Sequence, residues 1–346
     1  MGFFQSIFGK RKGVDFKERN FEPDIKLTDT KSLLERTKRK IKLRNYNEAL
    51  EDINSVLELE PNNAEAYMER STIKSKLKDN VGAKNDLEYA GILIKKFSNG
   101  IKSYEKGINF YNDGDYKNAI KFLSEALSSG VVTSDAYYYR GIAKKYNNDF
   151  RGAVLDFDMS IKINPTYTEA YYQRGKIKYH KLNETKGALD DFDYAIQLKK
   201  NDADIYITRA ILKNSTNDIT GAMNDYNKAI ELDPQNGQTY FSRAMLKFAK
   251  EDYSGVINDL TITIKMGLPN DASISIFDAY SLRGGMNLIL KNYQEAIKDF
   301  DKGIELNPAD GKIYFERGEA RRFLKQYELA AMDRIKATQL GYEEEN

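Results

Sequence analysis

An arginine that recurs in a short motif is the first candidate for chemistry in this sequence. The stretch YYYRG at 137–141 returns as YYQRG at 171–175, as AYSLRG at 279–284 and as IYFERG at 313–318. A guanidinium group can hold a phosphate or a carboxylate through two parallel hydrogen bonds. The recurrence therefore indicates either an anion-binding site built many times or an element of architecture.

An acidic residue follows most of these cations at a nearly constant distance along the chain. The cation stands at Arg36, Arg70, Lys106, Arg140, Arg174, Arg209, Arg243, Arg283 and Arg317. The partner position holds Asp52, Asp86, Phe122, Asp156, Asp191, Asp225, Asp259, Asp299 and Asp333. Since a buried charge without a counter-ion is costly, we expect the arginines and aspartates to pair. The structural ion pairs that we predict are Arg140 with Asp156, Arg174 with Asp191, Arg209 with Asp225, Arg243 with Asp259, and Arg283 with Asp299. The alternative is a ladder of arginines open to a phosphate or carboxylate partner.

Residue types that support catalysis are scarce. The sequence has no cysteine and one histidine, His180, which we expect to be a surface or turn residue. Three Asp-x-Asp pairs, at 156 and 158, 191 and 193, and 299 and 301, have a spacing seen in metal sites. We interpret each as one paired aspartate with a solvated neighbour. With no phosphate-cradling glycine loop or serine nucleophile elbow, the sequence predicts no enzyme, no metal site and no cofactor.

The charge balance argues against nucleic-acid binding. Lys and Arg number 54 against 52 Asp and Glu, a formal net charge of +2, and the two signs are interspersed along the chain. Such a chain has no bulk field that favours an anionic polymer. Hydrophobic residues make up 41% of the sequence, enough for a buried core, and no apolar run is long enough to cross a bilayer. We expect a soluble, cytoplasmic protein.

A period of 34 residues positions these motifs. Alanine marks it at Ala49, Ala83, Ala119, Ala153, Ala188, Ala222, Ala296 and Ala330, with Val256 in the remaining place. Successive markers lie 34, 36, 34, 35, 34, 34, 40 and 34 residues apart, which gives nine repeats with insertions near 97–99, near 183 and at 271–276. With the marker numbered as position 20, positions 4, 8 and 11 and positions 20, 24 and 27 each follow the spacing of one helical face. Every repeat is therefore predicted to be an antiparallel helix pair.

The repeat has a small residue at position 8, an alanine at position 20 and, in several copies, a proline at position 32. In these features it resembles the tetratricopeptide repeat. The copies YYYRGIAKKYNNDFRGAVLDFDMSIKINP and YSLRGGMNLILKNYQEAIKDFDKGIELNP match best, and the resemblance covers residues 30–340. Repeat 1 departs from it with Thr37 at position 8, and repeats 2, 3 and 5 lack the closing proline. The resemblance implies an all-α fold, a right-handed superhelical solenoid whose first helices line a concave surface that holds peptides or helices of partner proteins.

Positions 5, 9 and 12 of the first helices would line that concave surface. The predicted protein-binding residues are Tyr104, Ile108, Tyr111, Tyr138, Ile142, Lys145, Tyr172, Lys176, Tyr179, Phe241, Met245, Phe248 and Phe315. Exposed aromatic rings with a few cations are typical of protein-recognition surfaces, although each ring could instead pack on its neighbouring repeat. We therefore predict an interaction scaffold or adaptor whose partner is partly apolar and partly acidic. The combination of Lys at position 5 with Asn at position 9, which the heat-shock chaperone clamp of this family requires, is absent.

Two flanking segments complete the predicted organisation: an N-terminal tail at 1–29 and an acidic tail at 341–346. The sequence MGFFQSIFGKRKG places aromatic residues beside cations, a combination that favours the interface of a membrane. A membrane-surface adaptor anchored by residues 1–12, located in the cytoplasm and peripheral to a membrane, is therefore the alternative function.

Overall fold

The computed structural model describes residues 27–269 and 274–342 of the chain. The predicted anchor at 1–12 and most of the two predicted tails lie outside these residues. The first described helix begins at Leu27, before the predicted start of the repeats at residue 30. Within the described ranges the regular structure is entirely helical, so the all-α class is confirmed. None of the helices there is both long and apolar enough to cross a membrane.

The helices follow one another in pairs along most of the chain. We number them α1 (Leu27–Lys42), α2 (Tyr46–Leu59), α3 (Ala64–Lys76), α4 (Asn80–Asn112), α5 (Tyr116–Ser128), α6 (Ser134–Tyr146), α7 (Phe150–Ile163), α8 (Thr168–Ile177), α9 (Thr185–Leu198), α10 (Ala203–Ser215), α11 (Ile219–Leu232), α12 (Gly237–Ala249), α13 (Tyr253–Met266), α14 (Ile276–Ile289), α15 (Tyr293–Leu306), α16 (Gly311–Phe323) and α17 (Tyr327–Gln339).

A large ring packed against a residue without a side chain brings the two helices of a repeat together. Phe157 at position 24 is fully buried, and a Cβ added at Gly141, position 8, would lie about 3.0 Å from its ring. Gly284 faces Phe300 with even less space. The small residue at position 8 is therefore a consequence of the ring opposite it, because interiors are packed without spare volume.

The turn inside each repeat contains a left-handed residue, and in several repeats a side-chain helix cap follows it. Asn148 has φ of +62°, and the side chain of Asp149 then accepts a hydrogen bond from the backbone N–H of Gly152 at 3.0 Å. Asp218 and Asp252 cap their helices in the same way. An Asp cap satisfies an otherwise unpaired N–H and favourably meets the positive end of the helix dipole. The sequence clusters of Asn and Asp between helices are thus explained.

The described residues divide into two compact bodies. One comprises the chain up to Ser103 together with Glu125–Val131, and the other comprises Tyr104–Ser124 and the chain from Val132 onward. The expected turn between repeats 2 and 3 is absent, because α4 continues without a break through both. This segment has no proline to end the helix. As a result Leu87, at the position 24 that is buried in most other repeats, is 56% exposed.

The one-residue insertion in repeat 5 is absorbed within its first helix. After α8 the chain widens into a π-helical turn, Lys178–Leu182, and ends at Asn183 in the left-handed conformation with φ of +57°. The backbone N–H groups of Asn183 and Glu184 both donate to the carbonyl of Lys178. The turn therefore keeps the second helix in phase with the other repeats.

Candidate functional site

The recurring arginine forms a three-membered charge cluster with residues of its own repeat. In repeat 4, Arg140 Nε and Nη2 donate to the two carboxylate oxygens of Asp156 at 2.9 and 2.6 Å. Lys144 Nζ, one turn after the arginine, lies 2.8 Å from Asp156 Oδ2. Asp156 is almost completely buried, and both cations are largely so. Both oxygens of the buried carboxylate are therefore satisfied.

The same cluster recurs in every repeat that has the aspartate. Arg174 with Asp191, Arg209 with Asp225, Arg243 with Asp259, and Arg283 with Asp299 are brought together within hydrogen-bonding distance. The two pairs at the N-terminal side, Arg36 with Asp52 and Arg70 with Asp86, have the same geometry, as has Arg317 with Asp333. Position 11 supplies the second donor, as Lys in most repeats, Asn287 in repeat 8 and Arg321 in repeat 9.

From repeat 2 onward, each guanidinium also reaches back to the preceding repeat. Arg174 Nη1 donates to Asp158 at 2.5 Å and Arg317 Nη1 to Asp301 at 2.6 Å. Asp193 accepts from Arg209 in the same way. The second aspartate of each Asp-x-Asp pair, which we interpreted as a solvated neighbour, therefore has a hydrogen-bonding role as well. These carboxylates are about half exposed, but they receive the arginine of the next repeat because position 25 faces position 7 across the junction.

The face of the guanidinium is occupied as well. The carbon of the Arg140 guanidinium lies 5.4 Å from the ring centre of Tyr137, and Arg209 lies 5.6 Å from that of Tyr206. Tyrosine at position 4 thus covers the arginine by a cation–π contact. Each nitrogen of the Arg140 guanidinium thus donates to a neighbouring side chain, and one of its faces lies against a ring. The geometry supports architecture rather than a ladder of anion sites.

Repeat 3 has no carboxylate at position 23 and replaces the whole cluster at once. Phe122 stands there, and its ring stacks on that of Phe110, which occupies position 11, with 5.3 Å between centres. Lys106 Nζ lies 5.5 Å from the centre of the Phe122 ring. Because the aspartate, the lysine and the arginine of the other repeats are all replaced in repeat 3, no buried charge is left without a partner there.

Two residues predicted to face a partner are buried instead. Ile142 is 4% exposed and packs with Phe157 and Ile177, and Phe241 is 8% exposed in a cluster with Leu260. The expectation that these two side chains are exposed is therefore wrong. Successive repeats pack closely enough for an apolar side chain at these places to be covered.

The tyrosines of repeats 3 and 4 form a continuous, half-buried strip. The ring centre of Tyr111 lies 5.1 Å from that of Tyr139, which in turn touches Tyr138 at 5.4 Å. Tyr138 continues the strip to Tyr167 at 4.9 Å. Burial raises the pKa of Tyr104 to about 12, with Asp135 and Tyr139 adding to the effect. Burial likewise raises the pKa of Tyr111 and Tyr138, so these hydroxyls stay protonated at neutral pH.

In repeat 5 the predicted residues alternate rings and cations. The Tyr172 hydroxyl lies 3.0 Å from Thr208 Oγ1 of repeat 6, and Lys176 Nζ lies 5.2 Å from the centre of the Tyr172 ring. Lys145 Nζ donates to Gln173 Oε1 at 3.0 Å. Burial, with the nearby Lys176, lowers the pKa of Lys145. These contacts hold the side chains side by side on the first helices.

The remaining predicted residues are partly accessible. Ile108, Tyr179 and Met245 are half-buried, and Phe248 is 43% exposed beside Tyr253. Phe315 is half-buried under Tyr342 and beneath the guanidinium of Arg334. We call the partly accessible side chains at positions 5, 6, 9 and 12 in repeats 3–9 the first-helix face.

Sequence reasoning missed position 6 of the first helices. Tyr139, Gln173 and Thr208 each contact a predicted residue of an adjacent repeat, and thereby complete the first-helix face. Position 6 holds aromatic, polar and acidic residues and, in repeat 8, Leu282, so no apolar period marks it. These contacts could have been found only from the geometry of neighbouring repeats, in which position 12 of one first helix lies beside position 6 of the next.

These features define a class of protein. The described chain is an all-α repeat protein of antiparallel helix pairs, with a charged cluster inside most pairs and polar contacts between them. Residues 203–236 and 277–310 match the family described as Tetratricopeptide repeat. The two segments coincide with repeats 6 and 8 as the marker positions define them. Together with the helix pairs, these matches show that the chain contains tetratricopeptide repeats.

Relatives match parts of the chain. The Sol locus transcriptional repressor of Clostridium acetobutylicum is 31% identical over 100 residues, 28% of this chain and 30% of the repressor. A TPR repeat-containing protein of Methanocaldococcus jannaschii is 28% identical over 117 residues, 33% of this chain and 20% of that protein. The matches thus span less than a third of these curated relatives.

Solved structures share the fold. The C-terminal part of a TPR repeat-containing protein from Cytophaga hutchinsonii aligns with a TM-score of 0.55 and 17% identity. The alignment covers 68% of this chain and 92% of the other. At that identity the likeness establishes the helical-repeat fold alone.

Proposed function

We propose that the chain is a non-catalytic protein-interaction scaffold that binds an extended or helical segment of a partner along its first-helix face. The observation that carries the proposal is the contiguous strip of half-buried rings formed by Tyr111, Tyr139, Tyr138 and Tyr167. Rings held this way offer large contact area at small entropic cost, because their rotamers are already restricted before binding.

The charge of the first-helix face indicates the character of the partner. Lys145 and Lys176 lie among the tyrosines, whereas the arginines of the repeats form ion pairs with the aspartates of their own repeats. A segment with apolar side chains for the rings and acidic groups for the lysines fits both features. Resemblance to the tetratricopeptide family, whose repeats serve as peptide- and helix-binding surfaces, supports the same conclusion.

Affinity capture from the native source tests the proposal. The variant Tyr138→Ala/Tyr172→Ala/Phe248→Ala removes rings of the first-helix face, whereas Leu155→Ala/Tyr194→Ala/Leu306→Ala removes three large side chains that are exposed on second helices. We expect a specific protein to be retained by the wild type and by the second-helix variant, and lost by the first.

Because Tyr138 also packs on Phe157, folding is checked by circular dichroism and melting, and Phe248→Ala alone provides a variant outside the core. Equal capture by all of these folded proteins would show that the first-helix face serves only to pack the repeats.

A further inference from the structure

A basic pocket lies where repeats 4 and 5 meet, at the end of their first helices. It has a volume of about 340 Å³ and is lined by Lys145, Tyr146, Asn148, Phe150, Lys176, Ile177, His180 and Lys181. Three ammonium groups and the only histidine of the chain thus surround one cavity. Its lining contains no acidic side chain.

The cations of this pocket differ from those elsewhere in the repeats. Buried or half-buried cations at positions 7 and 11 have carboxylate partners, as Arg140 and Lys144 have in Asp156. Among the described residues, Lys145, Lys176, Lys181 and His180 have no carboxylate within 4.0 Å. Lys145 donates instead to the neutral amide of Gln173. Positive charge is therefore concentrated here without internal compensation.

The inserted residue of repeat 5 builds part of the pocket. The π-helical turn keeps Lys178 on Asp191 at 2.9 Å, as in the other repeats, while the wider winding that follows places His180 and Lys181 at the cavity. Single π turns in helices are rare and recur at functional sites. In repeat 4, which lacks the insertion, the helix ends normally at Tyr146.

Aromatic rings form the sides of the cavity and hold two of the lysines. Lys145 Nζ lies 4.8 Å from the centre of the Tyr146 ring, and Lys181 Nζ lies 5.3 Å from that of Phe150. Ammonium groups placed over rings are oriented without being neutralised. The pocket therefore combines fixed donors with apolar walls that fit a hydrocarbon or aromatic stem.

We propose that this pocket binds the phosphoryl group of a phosphorylated side chain in the partner segment. A phosphoryl group brings close to two negative charges and three acceptor oxygens, which matches three lysine donors better than the single charge of a carboxylate. The phosphorylated partner rests on the proposed function, but binding of the group itself is measured without the partner.

His180 offers a direct probe, because it is the only histidine in the sequence and its imidazole NMR signals need no assignment by mutagenesis. Partial burial, together with Lys176 and Lys181, lowers the pKa of His180 in the free protein. Lys145 and Tyr146 of the pocket lining, and the ring of Tyr179 at 4.4 Å, are its other charged and titratable neighbours. A dianion bound among these groups should raise that pKa, since the protonated imidazole then has a counter-charge.

The experiment titrates the full chain at constant ionic strength with short peptides that contain phosphotyrosine, tyrosine or glutamate, and with inorganic phosphate. We expect a saturable shift of the His180 signals and a raised pKa with the phosphotyrosine peptide, at least about tenfold tighter than with the glutamate peptide. Lys176→Gln/Lys181→Gln should weaken this binding by at least about tenfold, whereas Lys162→Gln/Lys250→Gln, at exposed lysines outside the pocket, should not change it.

If the glutamate peptide bound as tightly as the phosphotyrosine peptide, the pocket would have no preference for a phosphoryl group. If inorganic phosphate bound as tightly as the phosphotyrosine peptide, the pocket would be a site for free phosphate rather than for a phosphorylated side chain. If the phosphotyrosine peptide shifted the His180 signals no more than sodium chloride does, the pocket would not be a phosphoryl-binding site. None of these results affects partner capture through the aromatic rings, so failure of the pocket and failure of the proposed scaffold function are distinguishable.

Discussion

Repeats 3 and 4 solve one packing problem in two ways. Repeat 4 places Arg140, Lys144 and Asp156 between its helices, and repeat 3 places Lys106, Phe110 and Phe122 at the same three positions. In the first case a buried carboxylate is matched by two cations, and in the second two stacked rings fill the volume beneath a single lysine. The interior of a repeat thus tolerates either chemistry, provided that all three positions change together.

The difference teaches what the charged cluster contributes. A buried ion pair adds little stability over well-packed apolar residues, but breaking one is costly. We infer that the cluster, repeated along the chain, mainly fixes which helices pair and in which register. The arginine alone also bridges to the preceding repeat, a contact made by Arg140 with Ser124 at 3.1 Å.

The largest expected effect comes from leaving one cluster without its carboxylate. Asp259→Ala removes the shared partner of Arg243 and Lys247, and we expect a loss of about 3–5 kcal/mol in the free energy of unfolding. Urea denaturation followed by circular dichroism measures it. The matched variant Arg243→Met/Lys247→Met/Asp259→Leu removes all three charges and should cost clearly less. A triple variant as unstable as the single one would refute the equivalence of the two solutions.

The reverse exchange introduces the charged cluster of repeat 4 into repeat 3. Phe122→Asp alone places a carboxylate against the ring of Phe110, and we expect a loss of about 1–3 kcal/mol. Adding Lys106→Arg and Phe110→Lys recreates the cluster of repeat 4 and should recover most of that loss in the same denaturation experiment. No recovery would mean that the backbone of repeat 3 cannot accommodate the charged arrangement.

Acid should separate charged clusters from their apolar replacements. Hydrogen bonds from Arg36 and Lys40 hold the pKa of Asp52 below its usual value. Burial alone would raise the pKa of Asp86, but hydrogen bonds from Arg70 and Lys74 outweigh it and lower that pKa too. Stability from a lowered carboxylate pKa is complete above the unfolded value of about 4 and is lost as the pH falls through the folded pKa.

Replacing Arg70, Lys74 and Asp86 together by Met, Met and Leu should therefore reduce the loss of stability below about pH 4. Melting temperatures at pH 7 and at pH 3 give the comparison. An unchanged difference between the two pH values would show that the Asp86 cluster is not a source of acid sensitivity.

The smallest expected effect concerns the bridge between repeats. Asp193 accepts from Arg209 but is half exposed, so Asp193→Asn should cost at most about 1 kcal/mol. The cost should shrink at high salt, because solvent screens an exposed pair. A loss as large as that of Asp259→Ala would place the main stabilising role of the arginine between repeats rather than within them.

Much of this architecture could be predicted from local pattern. The spacing of Ala188 and Ala222 set the period, Gly141 supplied the small residue at position 8, and Arg140 with Asp156 predicted the charge pairing between helices. These features depend on the residues of one repeat, so they can be predicted from helical periodicity in the sequence. Position 11, where Lys144 completes the cluster, could have been recognised from the same period.

Contacts between successive repeats could not be predicted from the periodic pattern. The exposure of Ile142 and Phe241 was predicted wrongly, and the bridging role of Asp158 was missed, because both depend on how closely successive repeats approach. The continuous helix α4 was equally unforeseen, since absence of a proline permits a helix to continue without requiring it.

The sequence by itself determined the all-helical class, the 34-residue repeat and the charged pair inside it, because each follows from side chains a few turns apart on two adjacent helices. Only the tertiary structure decided which rings remain accessible on the first-helix face. It also decided that a single inserted residue widens one helix and gathers Lys145, Lys176, His180 and Lys181 around a cavity. The physical reason is that burial and charge convergence depend on distances between repeats, which no one-dimensional period encodes.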